Sequence, residues 1–74
     1  MRISYDPEVD ALSIIFRETT VTTKQLAEGL AAEYDADGHL AGIEILDVAR
    51  RFGGQDVLRQ VVIEGMGPAG AKAG

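Results

Sequence analysis

Apolar and polar residues alternate with a period of two along much of the chain's first two thirds. Ile3-Ser4-Tyr5 places its apolar residues two apart, and Leu12, Ile14 and Phe16 share one side with Ser13 on the other. Such alternation marks a half-buried strand. Between the two runs stands Asp6-Pro7-Glu8, where Pro presets φ at the second turn position and Asp caps the turn from the first. Together they predict a hairpin. Further on, Leu30, Ala32 and Tyr34 alternate with Ala31 and Glu33, and on the return Ile43 and Ile45 oppose Glu44. Asp35-Ala36-Asp37-Gly38 joins these runs, and Asp-Gly supplies the positive φ that tight turns require. This is a second hairpin. Gly42 inside the return strand marks a bulge or a close backbone approach.

The remaining segments are less regular. Thr19 to Thr23 is rich in β-branched residues and favours an extended chain. Lys24 to Glu28 would also fit one helical turn stopped by Gly29, but an extended edge segment is the expectation. Asp47 is placed to cap a helical turn over Val48 to Phe52, ended by Gly53-Gly54. From Gln55 to Glu64 the i,i+4 pairs Val57/Val61 and Leu58/Val62 predict a helix. The β-branched residues Val57, Val61, Val62 and Ile63 make a strand its rival. Residues 65–74 are rich in Gly and Ala and predict a disordered tail. The fold class is α+β: an antiparallel β-meander of three to four strands with a C-terminal helical segment, forming one domain over residues 1–64.

Length makes such a domain marginal. The chain has 74 residues, and a domain of about 60 buries only roughly 60% of its unfolded surface. Domains of this size usually add disulfides, a metal or a partner subunit. With no cysteine and a single histidine, His39, disulfides and thiolate zinc sites are excluded, and little is left for a nitrogen-ligated metal. Oligomerisation is the support that remains. A formal charge of −5, with Arg50-Arg51 the only adjacent basic pair, argues against nucleic acid as a partner. No run approaches the ~18 apolar residues of a membrane span, and the first residues lack the apolar stretch of a signal peptide. A cytoplasmic location without membrane contact is expected.

Three ordered segments carry a resemblance. Tyr5 to Ile14, Gly29 to Gly38 and Leu40 to Asp47 resemble, in that order, the opening, the central hairpin and the closing strand of the DUF2283 family of small prokaryotic proteins. The resemblance spans roughly residues 1–52; the tail departs from it. It implies no catalytic residues. Because such proteins look like partners of small toxin-like proteins, the resemblance implies an antitoxin-like or interaction role.

The candidates for chemistry are few. Asp35-x-Asp37 opens like an EF-hand loop, and Asp6, Glu8 and Asp10 would join Asp35 and Asp37 around a divalent cation if the two turns lay side by side. Yet Leu40 and Leu46 stand where such a loop needs Gly and Glu. Asp in turns is accounted for by bonding its own backbone. Asp6, Asp35 and Asp37 are therefore weak metal candidates, and no cofactor is expected. Ser4 and Ser13 lack the strand–turn–helix setting of an exposed catalytic serine, and His39 follows a turn glycine at a solvated position. An enzyme is not expected.

Apolar side chains weigh more. Ile15, with either Ile43/Ile45 or Leu40/Leu46, must point away from the main core, and a sheet apolar on both faces needs a second cover. Arg50 and Arg51 offer guanidinium forks to an acidic group, although solvating the last helical turn explains them equally. The expectation is a protein-interaction module with Ile15, Arg50 and Arg51 at its interface, either self-associating or bound to a small basic protein. The alternative is a small-ligand or divalent-metal-binding domain built on the hairpin carboxylates.

Overall fold

The computed structural model describes residues 1–65, so the expectation for the tail falls, apart from Gly65, outside the described residues. Five strands form one antiparallel sheet: β1 (Arg2–Asp6), β2 (Ala11–Ile15), β3 (Thr22–Ala27), β4 (Leu30–Tyr34) and β5 (Leu40–Ile45). A short helix, α1 (Val48–Phe52), and a 3-10 turn at Gln55–Arg59 follow. The α+β class and the meander-like sheet match the sequence reading. No helix among the described residues is long and apolar enough to cross a membrane.

Three details correct the expectation. The strands number five rather than three to four, because Thr22–Ala27 pairs along β4 as a full edge strand. Their order is β1-β2-β5-β4-β3, so β5 inserts beside β2 and the chain crosses to the far edge between β2 and β3. The helix expected over residues 55–64 shrinks to the 3-10 turn, and Gln60 returns to extended backbone at φ −134°. Val61, Val62 and Ile63 follow, and side chains branched at Cβ lose rotamer freedom in a helix.

Turn chemistry follows the sequence closely. Asp6 Oδ1 accepts the Glu8 N–H at 3.0 Å. In the β4–β5 turn, Asp35 Oδ1 accepts the N–H groups of Asp37 and His39, each at 2.9 Å, and Gly38 takes φ +84°. Gly42 is a close approach: a Cβ there would lie 2.6 Å from Glu33 Oε1 and 3.1 Å from the Ile14 carbonyl oxygen. The irregularity in the β4–β5 register falls beside it, between Glu33 and Tyr34.

Register sorts the side chains, since residues paired across strands share a face and neighbours along a strand alternate. Ile3, Tyr5, Leu12, Ile14, Ile43, Ile45, Leu30, Ala32 and Tyr34 fall on one face. This apolar face carries Lys24 on the edge strand β3 and no acidic strand residue. The opposite face holds Ser4, Ser13, Ile15, Gly42, Glu44, Ala31 and Glu33. Burial is sparse: among the described residues the buried apolar set is Leu12, Ala31, Ala32, Ala41 and Val48.

Candidate functional site

At one end of the sheet the chain is tied together by Asp10. This residue takes φ +54°, a left-handed conformation that Asp tolerates better than most residues. Its Oδ1 accepts the Tyr5 hydroxyl at 2.5 Å, and its Oδ2 accepts the Ala49 N–H at 3.0 Å. The Asp10 carbonyl also accepts the Val48 N–H at 3.2 Å. Asp10 thus caps α1 from 39 positions away. Asp47, expected in that role, stands at the helix start with φ +56° and makes no side-chain cap. The hydrogen bond with Tyr5, then that from Ala49, holds the Asp10 carboxyl below its ordinary range, and the same bond pushes the Tyr5 hydroxyl up to about 12.

Arg51 is occupied at the same end. Its Nε donates to the Leu46 carbonyl at 2.9 Å and its Nη2 to the Glu28 carbonyl. The guanidinium therefore fastens α1 to the β3–β4 turn. Arg50 stays at the surface, with Nη2 3.3 Å from Asp47 Oδ2. Ile15 pairs with Gly42 near the other end of the sheet. The three residues expected at one interface are not brought together.

The hairpin carboxylates are also apart. Leu12 opposes Ile45 while Ile15 opposes Gly42, so the turn after Asp6 and the turn after Tyr34 lie at opposite ends of the sheet. Asp6 cannot join Asp35 and Asp37. Ligand atoms of Asp35, Asp37 and His39 do lie within 4.8 Å of one another. Yet Asp35, whose side chain is only 7% exposed, is engaged on both oxygens: Oδ1 by the turn N–H groups, Oδ2 by Arg17 at 3.4 Å and His39 at 3.6 Å. The His39 N–H, foremost, lowers its pKa.

Ile15 opens onto the feature that sequence reasoning missed. A surface cleft of about 280 Å³ is lined by Arg2, Ile15, Arg17, Glu18, Val21 and Glu33, with Thr19. Arg2 and Glu18 pair across it at 2.7 Å. Burial, then the charge of nearby Glu44, raises the Glu33 pKa. These side chains come from β1, β2, β4 and the β2–β3 crossover, and no local spacing links them. Guanidinium and carboxylate groups around one aliphatic floor can hold charged groups of another molecule. They include no histidine or cysteine to activate a nucleophile.

Comparison with curated proteins and with solved structures finds no match to either. A family model described as "Protein of unknown function (DUF2283)" matches residues 2–48, from β1 to the first residue of α1. That stretch is well over half the chain and includes the whole sheet, so the chain belongs to the DUF2283 family.

Proposed function

We propose that this domain is a protein-interaction module rather than an enzyme. One observation carries the reading: a single-layer sheet presents apolar side chains on both faces while burying few of them. Ile3 is 41% exposed on one face, and on the other Ile15 lines the cleft. Domains ordinarily bury a sheet face against a second layer, and another protein can supply it. The charge of −5 suits a basic partner, while the rim of the Ile15 cleft is balanced, with Arg2 and Arg17 against Glu18 and Glu33. In the antitoxin-like form, that partner is a small basic protein.

The test is capture by the tagged full chain from its native lysate, with the ratio of recovered proteins weighed. A second protein held at fixed ratio and lost on Ile15→Asp supports the reading. Recovery of the chain alone, and as a monomer, overturns it.

A divalent-cation reading has one observation in its favour, the proximity of Asp35, Asp37 and His39. A ligand that binds only the folded state raises the melting temperature. A melting temperature unmoved by excess calcium or zinc ends that reading.

A further inference from the structure

We propose that the Ile15 cleft receives one basic side chain, arginine or lysine, of a protein partner, with Glu33 as its counter-ion. The proposal rests on the interaction-module reading and names the chemistry of its contact point.

The cleft follows from one row of residues across the sheet. Arg2 opposes Ile15, Ile15 opposes Gly42, and Gly42 opposes Glu33. Gly42 has no side chain, so the row has a gap between Ile15 and Glu33. The Glu33 carboxylate leans into that gap, with Oε1 2.6 Å from where a Cβ on Gly42 would lie. Ile15 and Val21, both half-buried, supply an aliphatic wall beside it.

Pairing decides the sign of the ligand. Arginines and glutamates line the cleft in equal number, but both arginines are already held. Arg2 meets Glu18 at 2.7 Å, and Arg17 meets Asp35 at 3.4 Å. Glu33 faces no cation at ion-pair distance among the described residues. Burial and then the neighbouring Glu44 act on its carboxyl instead, and both push it up. Like charges this close on one sheet face oppose folding, and such a perturbed group in a cleft is characteristic of functional positions. An incoming cation relieves the repulsion. An incoming anion must first displace a carboxylate from an arginine.

The walls narrow the cation further. Lysine and arginine lay their methylenes along apolar surface and keep the charged head in a polar setting. Ile15 and Val21 suit the stem, and Glu33 suits the head. A hydrated metal ion gains nothing from the two aliphatic side chains and takes more oxygens than Glu33 and Glu44 offer. A volume of about 280 Å³ has room for one long side chain rather than an element of secondary structure. The chain's charge of −5 draws a basic partner toward it.

The test is carboxyl and methyl NMR on the full chain, titrated with a capped Gly-Arg-Gly peptide. Its citrulline counterpart, which keeps the shape without the charge, is the control. Saturable shifts are expected at the Ile15 methyls and the Glu33 carboxyl with the arginine peptide alone. Glu33→Gln should weaken binding about tenfold or more. Glu8→Gln removes the same charge in the β1–β2 turn, at the opposite end of the sheet, and should leave binding unchanged. If Glu33→Gln does not fold by circular dichroism, Glu44→Gln takes its place and should weaken binding in the same direction. No saturable shift, equal binding of the citrulline peptide, or indifference to the substitution overturns the proposal. A protein captured equally well by wild type and Glu33→Gln overturns it too, and leaves the module reading standing. A chain that binds the arginine peptide but captures no protein overturns the module reading, and with it a protein as the source of the cation.

Discussion

The guanidinium of Arg51 fills the space that a side chain at Gly29 would need: a Cβ there would lie 2.6 Å from Arg51 Nη2. Gly29 also takes φ +77°, so two independent constraints meet at one position. Gly29→Ala is expected to destabilise by roughly 1–3 kcal/mol. Arg51→Ala, which frees two carbonyls at the surface, should cost about 1 kcal/mol. Because the first substitution displaces the side chain that the second removes, the double variant should lose less than the sum. Urea unfolding of the three variants measures the coupling. Strict additivity would show that Arg51 does not occupy this site in solution.

Asp10 should be the most sensitive acid in the chain. Asp10→Ala removes the remote cap of α1 and places alanine at positive φ, so the melting temperature should fall by several degrees. Asp10→Asn keeps an acceptor oxygen and tolerates that backbone, and should recover much of the loss. The folded pKa of Asp10 is lowered, so its contribution is present above the unfolded value of about 3.9. It fades as pH falls through the folded value. Thermal melts of wild type and Asp10→Asn across acidic pH check the sign.

Tyr5 carries the opposite dependence at the alkaline end. Its hydroxyl is held at about 12 by donation to Asp10, against about 10 when unfolded. Stability from this contact is full below about 10 and is lost as pH rises toward 12. Tyrosinate absorbance in a Tyr34→Phe background isolates the group, and Asp10→Asn should move its midpoint down.

Glu33 and Glu44 are diagonal neighbours on the face opposite the apolar one, since Glu33 opposes Gly42 and Ala31 opposes Glu44. Glu33 is raised by burial and then by Glu44, so this pair favours folding at low pH and works against it as pH rises through the folded value. Carboxyl-carbon NMR should show the Glu33 midpoint falling in Glu44→Gln. An unchanged midpoint would assign the shift to burial alone.

Much of the sheet was legible because hairpins are local. Asp6-Pro7 and Asp37-Gly38 identify their turns, and alternation around them sets which residues share a face. Gly53, at φ +81°, ends α1 where the sequence places its stop. The stretch around Lys24 was harder, since a lone run of six residues fits a strand or a helical turn until it has a neighbour. The cleft around Ile15 was out of reach: Arg2, Arg17 and Glu33 meet there only once the strand order is known.

The sequence by itself therefore determined the two hairpins, the α1 boundaries and the acidic character, each governed by propensity or charge over a few neighbouring residues. Tertiary structure alone decided that β5 lies between β2 and β4, that Asp10 rather than Asp47 caps α1, and that Arg51 spends its guanidinium on backbone carbonyls. The physical reason is common to all three. Each is a contact between segments distant in sequence, chosen by which backbone groups remain unpaired once the strands assemble, and no local pattern records that choice.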